Sequence, residues 1–271
     1  MTAPSMGAPP AGTLDRWAWE YLTSTDLVYK RAPPPPPREL TTGSAPLRLT
    51  HAGRPPELQV TTRGRKSPGP EALRAPERRA ALLHTFLHHE LQAAELMCWA
   101  ILAFPETPEA FRLGLLGVAR DEIRHLALYE AHLGALGYGY GAFPVRDWFW
   151  ERIPQAASPV AFVAALGIGL EGANLDHTAR FAARFRAVGD EAGAALQERI
   201  CEEEVPHVRF ALSWFARWTA TETSFKGWSA ELTPPLSPLL MRGAPLNREA
   251  RLLAGFSPAF IDELAQWSPG S

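Results

Sequence analysis

Cysteine is scarce in this chain. Cys98 and Cys201 are the two present among 271 residues, so the sequence offers neither a disulfide framework nor a CxxC pair to hold zinc or a rubredoxin-type iron. That usage fits a reducing compartment. No apolar run reaches the roughly 18 residues that a spanning helix needs, and the opening MTAPSMGAPPAG lacks the charged and apolar regions of a secretion signal. The expectation is a soluble, cytoplasmic protein with no membrane partner. An excess of charge of one sign is also missing: 27 Lys and Arg stand against 29 Asp and Glu, a formal net charge of -2. No global field therefore draws the chain to nucleic acid, and the one basic cluster, RGRK at 63–66, reads as a solvated loop. Apolar residues, by contrast, make up 46% of the chain, enough over this length to bury a sizeable core.

Proline and helix-forming residues divide the sequence. Residues 1–75 form a Pro-rich arm whose PPPPP run at 33–37 must be extended. Within it, Leu14, Trp17, Tyr21 and Leu22 recur at helical spacing and predict one short amphipathic helix over 13–30. Residues 76–220 hold four long helices. The first runs from Pro76 to Phe104, and the second from near Pro108 to the Gly137 region. After a loop of roughly 20 residues, long enough to cross a bundle, the third starts with Ser158 as cap and Pro159 in its first turn and is closed by Gly189. The fourth is capped near Asp190 and reaches about Ala220. Residues 221–271 form a tail with short helices near 247–254 and 257–267.

The informative feature is an internal repeat that preserves chemistry while the surrounding sequence differs. Glu90 is followed by Glu122 and His125, and Glu171 by Glu204 and His207, so the two triplets are offset by 81, 82 and 82 residues. A single E-x-x-H is weak, whereas two copies in register are strong. A spacing of three puts Glu and His on one helical face, where both can reach one ion. Each Glu also shares its stripe with apolar residues: Leu83, Leu87 and Met97 beside Glu90, Leu115, Val118 and Leu126 beside Glu122. All four carboxylates are thus expected to point inward, where unpaired ions cost several kcal/mol each. Two divalent ions balance four carboxylates, and two imidazoles complete the coordination. Hard oxygens with one imidazole per metal favour two irons, with an iron and manganese pair second, over structural zinc. The E-x-x-H carboxylates are placed to bridge and Glu90 and Glu171 to be terminal. Asp121 and Glu203 are candidates to hold the ring nitrogen of the opposite histidine.

These residues resemble the ferritin-like di-iron carboxylate superfamily, including rubrerythrins, whose first helix has a run similar to ELQA at 90–93. A further resemblance, to a bacterial ferritin-like family of unknown function, covers most of the chain. It rests on LLHTFLHHELQAAEL, DEIRHLALY, YGAFPVRDWFWE, EEEVPHV and PLNREARLLAGF. Arg146 departs from the His expected there before Asp147. The resemblance implies an all-α, ferritin-like four-helix bundle with a long crossover loop, an irregular N-terminal arm and a short helical C-terminal tail.

Several residues carry a sharper and a plainer reading. His84 and His88 lack the H-E-x-x-H register and read as surface or supporting histidines. Glu95, about 140° around the helix from Glu90, reads as a supporting or surface acid. Tyr129, one turn beyond His125, is the candidate catalytic side chain beside its plainer role in packing, and Cys201 reads as a small buried hydrophobe. Trp148, Phe149 and Trp150 are candidates to line an entrance. The leading expectation is an oxidoreductase that uses O₂ or peroxide on a small-molecule substrate, with an external electron donor because no CxxC path exists. Iron handling or peroxide scavenging stands second and a non-catalytic scaffold third. The arm and tail favour a monomer or dimer over a cage.

Overall fold

The computed structural model describes residues 7–64 and 67–269. The opening MTAPSMGAPPAG and the RGRK run at 63–66 each lie partly outside the described residues. Among the described residues the chain is all-helical, with no strand and one isolated bridge between Val60 and Val145. This is compatible with a helical bundle. No described helix is long and apolar enough to cross a membrane. The chain forms two compact units, Met1–Lys66 with Leu83–Pro154 and Ser67–Leu82 with Gln155–Ser271, a division that cuts across the 76–220 segment.

In the first unit, α1 (Leu14–Thr23) and α2 (Leu27–Arg31) replace the single helix expected over 13–30. The reason is local: Ser24 turns extended and the Asp26 carboxylate accepts from the Val28 N–H, so a new cap satisfies the backbone that a continuous helix would have paired. Next comes α3 (Pro76–Ala103), which belongs to this unit from Leu83 onward, and then α4 (Glu109–Ala135). Both start at the prolines the sequence marks. The arm is irregular yet firmly tied. The Trp17 indole donates to the Pro34 carbonyl at 2.7 Å, and buried Asp15 pairs with buried Arg112 at 2.5 Å. Lys30 and Arg54 reach Glu95 on α3 at 2.8 and 2.6 Å.

In the second unit, Ser158 caps α5 (Pro159–Phe162) through its hydroxyl, as expected, but the helix does not continue in α register. Val163–Glu171 is a nine-residue π-helix leading into α6 (Gly172–Ala187). Periodicity at 3.6 residues per turn could not anticipate this, because tertiary contacts fix it. The Trp228 indole donates to the Ala164 carbonyl at 2.9 Å. A Cβ on Gly167 would lie 2.4 Å from the Ala211 methyl, so only glycine allows this approach to the next helix. That helix is α7 (Glu191–Thr219), with the Asp190 carboxylate accepting from the Gly193 N–H and Pro206 inside it. The tail holds α8 (Phe225–Ala230), which hydrophobic spacing did not reveal, then α9 (Arg248–Ala254) and α10 (Pro258–Gln266). Buried Arg251 on α9 clasps buried Asp176 on α6 through two hydrogen bonds of 3.0 and 2.7 Å.

Next to Asp176, His177 supplies a pH test. Burial, reinforced by Arg180 and then Arg251, lowers its pKa to about 4. A histidine depressed below its unfolded value near 6.5 binds fewer protons when folded. Stability is therefore highest above pH 6.5 and falls as pH drops towards 4. His177→Gln is expected to remove part of that slope, measured as urea midpoints of both proteins from pH 4 to 7; parallel curves would refute it.

Candidate metal centre

Each unit carries one buried Glu–Glu–His group. In the first, α3 supplies Glu90 and α4 supplies Glu122 and His125, one turn apart. The His125 Nδ1 lies 3.3 Å from Glu122 Oε2 and 3.6 Å from Glu90 Oε2. In the second, Glu171 ends the π-helix, and Glu204 and His207 lie one turn apart on α7, with His207 Nδ1 3.1 Å from Glu204 Oε2. Within each group, one donor atom per residue lies within 4.8 Å of the others. All six residues are buried, as their apolar stripes predict, with none more than 5% exposed.

The electrostatics follow from burial. Desolvation pushes the Glu90 carboxyl well above its ordinary range, and the neighbouring Glu122 adds to this. Burial alone would lower the His125 pKa, but its hydrogen bonds to Glu122 and Glu90 outweigh that and hold it at about 11. Both shifts favour the protonated forms, which lowers the net negative charge buried in the group. Donor chemistry fits a metal in the same place: bonds of about 2.0–2.2 Å keep donor atoms about 3–4 Å apart, and the His–Glu separations of 3.1 to 3.6 Å fall in that range. These buried Glu and His groups can therefore hold a metal ion.

The remaining expected residues are placed as follows. Tyr129 is buried one turn beyond His125, with its ring 6.0 Å from Phe86. Asp121 pairs with Arg124 at 2.5 Å and Glu203 with Arg199 at 2.9 Å. Glu95 is fully buried and so is not a surface acid. It accepts from Lys30, Arg54 and the Trp150 indole. His84 and His88 are likewise not surface residues. His84 Nε2 accepts from the Gly141 N–H at 2.9 Å, while His88 joins the Tyr140 hydroxyl at 2.7 Å to Asp147 at 2.8 Å. These contacts come from the 138–154 loop, whose fold no helical period encodes. Trp150 is buried against Glu95, while Phe149 stacks on His89 at 4.8 Å and Trp148 lies under Arg152 at 4.1 Å. Cys201 is half-buried rather than buried.

Sequence reasoning missed Asn174. Its amide Nδ2 donates to Glu204 Oε1 at 3.2 Å. The available signal was its place one turn beyond Glu171, on the face of the ligand.

A family model described as protein of unknown function (DUF455) matches residues 17–262. The chain belongs to that family. The matched span includes both Glu–Glu–His groups. The DUF455 chain is also 28% identical over 193 residues to an uncharacterized protein of Haemophilus influenzae, covering 68% of this chain and 66% of that relative's length. No solved structure matches.

Proposed function

We propose that the chain is a ferritin-like four-helix bundle whose two Glu–Glu–His groups hold two metal ions, iron with iron or iron with manganese. The protein is then an oxidoreductase that uses O₂ or peroxide on a small organic substrate. One observation carries this reading: two buried ligand groups of the same composition, in matched sequence register, one from each half of the chain. Such a metal pair would supply redox equivalents and Lewis acidity in a place screened from water.

The chain's own groups divide the work. Glu90 and Glu171 would serve as terminal ligands, Glu122 and Glu204 would be shared between the ions, and His125 and His207 would each contribute one imidazole. Asp121 and Glu203 fix the far ring nitrogen of the opposite histidine and so set which nitrogen faces the metal. Tyr129, with its hydroxyl one turn beyond His125, holds or delivers a proton beside the site. The small-molecule substrate enters from solvent, and electrons come from an external donor. A cytoplasmic monomer or dimer fits the arm and tail better than a cage.

Elemental analysis of protein expressed with ample iron and manganese should give about two metal ions per chain, and Glu204→Ala should abolish that stoichiometry. The reduced, iron-loaded protein should consume O₂ faster than the same concentration of free iron. A rate no faster than free iron refutes the oxidoreductase reading. A large hollow oligomer that takes up iron far beyond two per chain would favour storage instead.

A further inference from the structure

Glu171 is the last residue of a nine-residue π segment, a register that helices adopt rarely and mostly for a single turn. Contacts from the C-terminal tail hold the chain on both sides of it. Upstream, the Trp228 indole donates to the Ala164 carbonyl at 2.9 Å. A Cβ on Gly169 would lie 2.6 Å from Met241 Sδ and 3.0 Å from that same Ala164 oxygen. Downstream, a Cβ on Gly172 would meet the Phe256 ring at 3.3 Å, and Arg251 clasps Asp176 at 3.0 and 2.7 Å. Gly167, one turn before Glu171, approaches Ala211 on α7, which lies one turn beyond His207. The segment therefore touches both the tail and the ligand-bearing face of α7.

We infer that Trp228 is a positioning residue for Glu171: its bond to the Ala164 carbonyl keeps the segment in π register, and that register aims the Glu171 carboxylate at the position it shares with Glu204 and His207. This rests on the reading above that the group binds metal. In α register the Ala164 carbonyl is the acceptor for the Ile168 N–H, four residues on, and the indole competes for that oxygen. A segment that reverts to α register continues α5, which the Ser158 cap and buried Phe162 hold in place. Its last residue is then turned by at least the roughly 100° of one helical position. A carboxylate turned that far leaves the face on which Glu204 and His207 wait.

Manganese(II) chloride titrated into the metal-free full-length protein under argon, read as loss of the free-ion electron paramagnetic resonance signal, tests this. Trp228→Phe keeps an aromatic ring beside Phe225 and Phe260 but has no N–H to give. It should weaken binding by roughly 10- to 100-fold, the usual cost of losing a group that orients a ligand. Trp99→Phe is the control: it removes an indole bond of the same kind, 2.9 Å to the Leu49 carbonyl, and should lower the melting temperature comparably while binding manganese as the wild type does. In a Glu171→Ala background, Trp228→Phe should cost nothing further, because its effect passes through Glu171. Gly169→Ala, which favours α register and crowds the Ala164 oxygen, should weaken binding in the same direction and serves if Trp228→Phe folds poorly. A Trp228→Phe titration that overlays the wild type, an equal loss in Trp99→Phe, or a loss that adds in full to that of Glu171→Ala overturns the inference and leaves the metal reading intact. Failure of the wild type to bind manganese or iron at all overturns both.

Discussion

Glu95→Ala should destabilise the protein by about 3–5 kcal/mol, because it leaves the buried Lys30 without its counter-ion and Arg54 with Asp147 alone. Lys30 and Glu95 are fully buried and Arg54 nearly so. The Lys30 ammonium also donates to the Leu22 carbonyl, and the Trp150 indole donates to Glu95 at 2.8 Å. Burial lowers the Lys30 pKa, with Glu95 opposing it. Burial would raise the Glu95 pKa, but Arg54 and then Lys30 outweigh it, and the carboxyl stays below its usual range. The same holds for Asp147, held at about 2 against burial by hydrogen bonds from His88 and by Arg54. Carboxylates depressed in this way stabilise the fold above their unfolded values near 4, and that contribution disappears as pH falls through the folded values. The Glu95→Ala deficit should therefore be full at pH 7 and shrink below about pH 4. Urea denaturation at pH 7 and pH 3 measures both. Glu95→Gln, which keeps the volume but not the charge, should retain most of the loss, and a loss under about 1 kcal/mol in both variants would contradict the ion-pair account.

Metal should have an effect of similar size, in the opposite direction. A ligand that binds only the folded state stabilises it by about 4 kcal/mol at a thousand times its dissociation constant, on the order of 10 °C in melting temperature for a chain of this length. Adding iron(II) or manganese(II) anaerobically to metal-free protein should raise its melting temperature by that amount, and chelation should reverse it. Glu122→Ala, which removes one of the carboxylates proposed to bridge, should abolish the rise. A metal-dependent shift that survives in Glu122→Ala would place the binding elsewhere on the chain.

The sequence makes the four carboxylates look like four unscreened charges, and the structure alters that picture. With Glu90 raised by burial and His125 held at about 11, the metal-free first group keeps protons where an ion would sit. The group is therefore compatible with folding before metal arrives, although the repeat alone gave no reason to expect it.

The sequence by itself determined where the long helices of 76–220 start and stop, and the six candidate ligands. Pro76, Pro108, Ser158, Pro159, Gly189 and Asp190 punctuate helices through backbone sterics and caps that reach only three or four residues. The ligands are legible because a spacing of three within an apolar stripe is a local property, and its repetition tests it. Only the tertiary structure decided the partners of Glu95, which are 65 and 41 residues away in Lys30 and Arg54. It also decided the π segment, where the Trp228 indole meets Ala164 across 64 residues, and the bond from Asn174 to Glu204, 30 residues on. A cap or a helical period is satisfied within one turn of chain, whereas a buried charge or a displaced carbonyl is satisfied by whichever group chain closure brings within about 3 Å, and no local pattern records that.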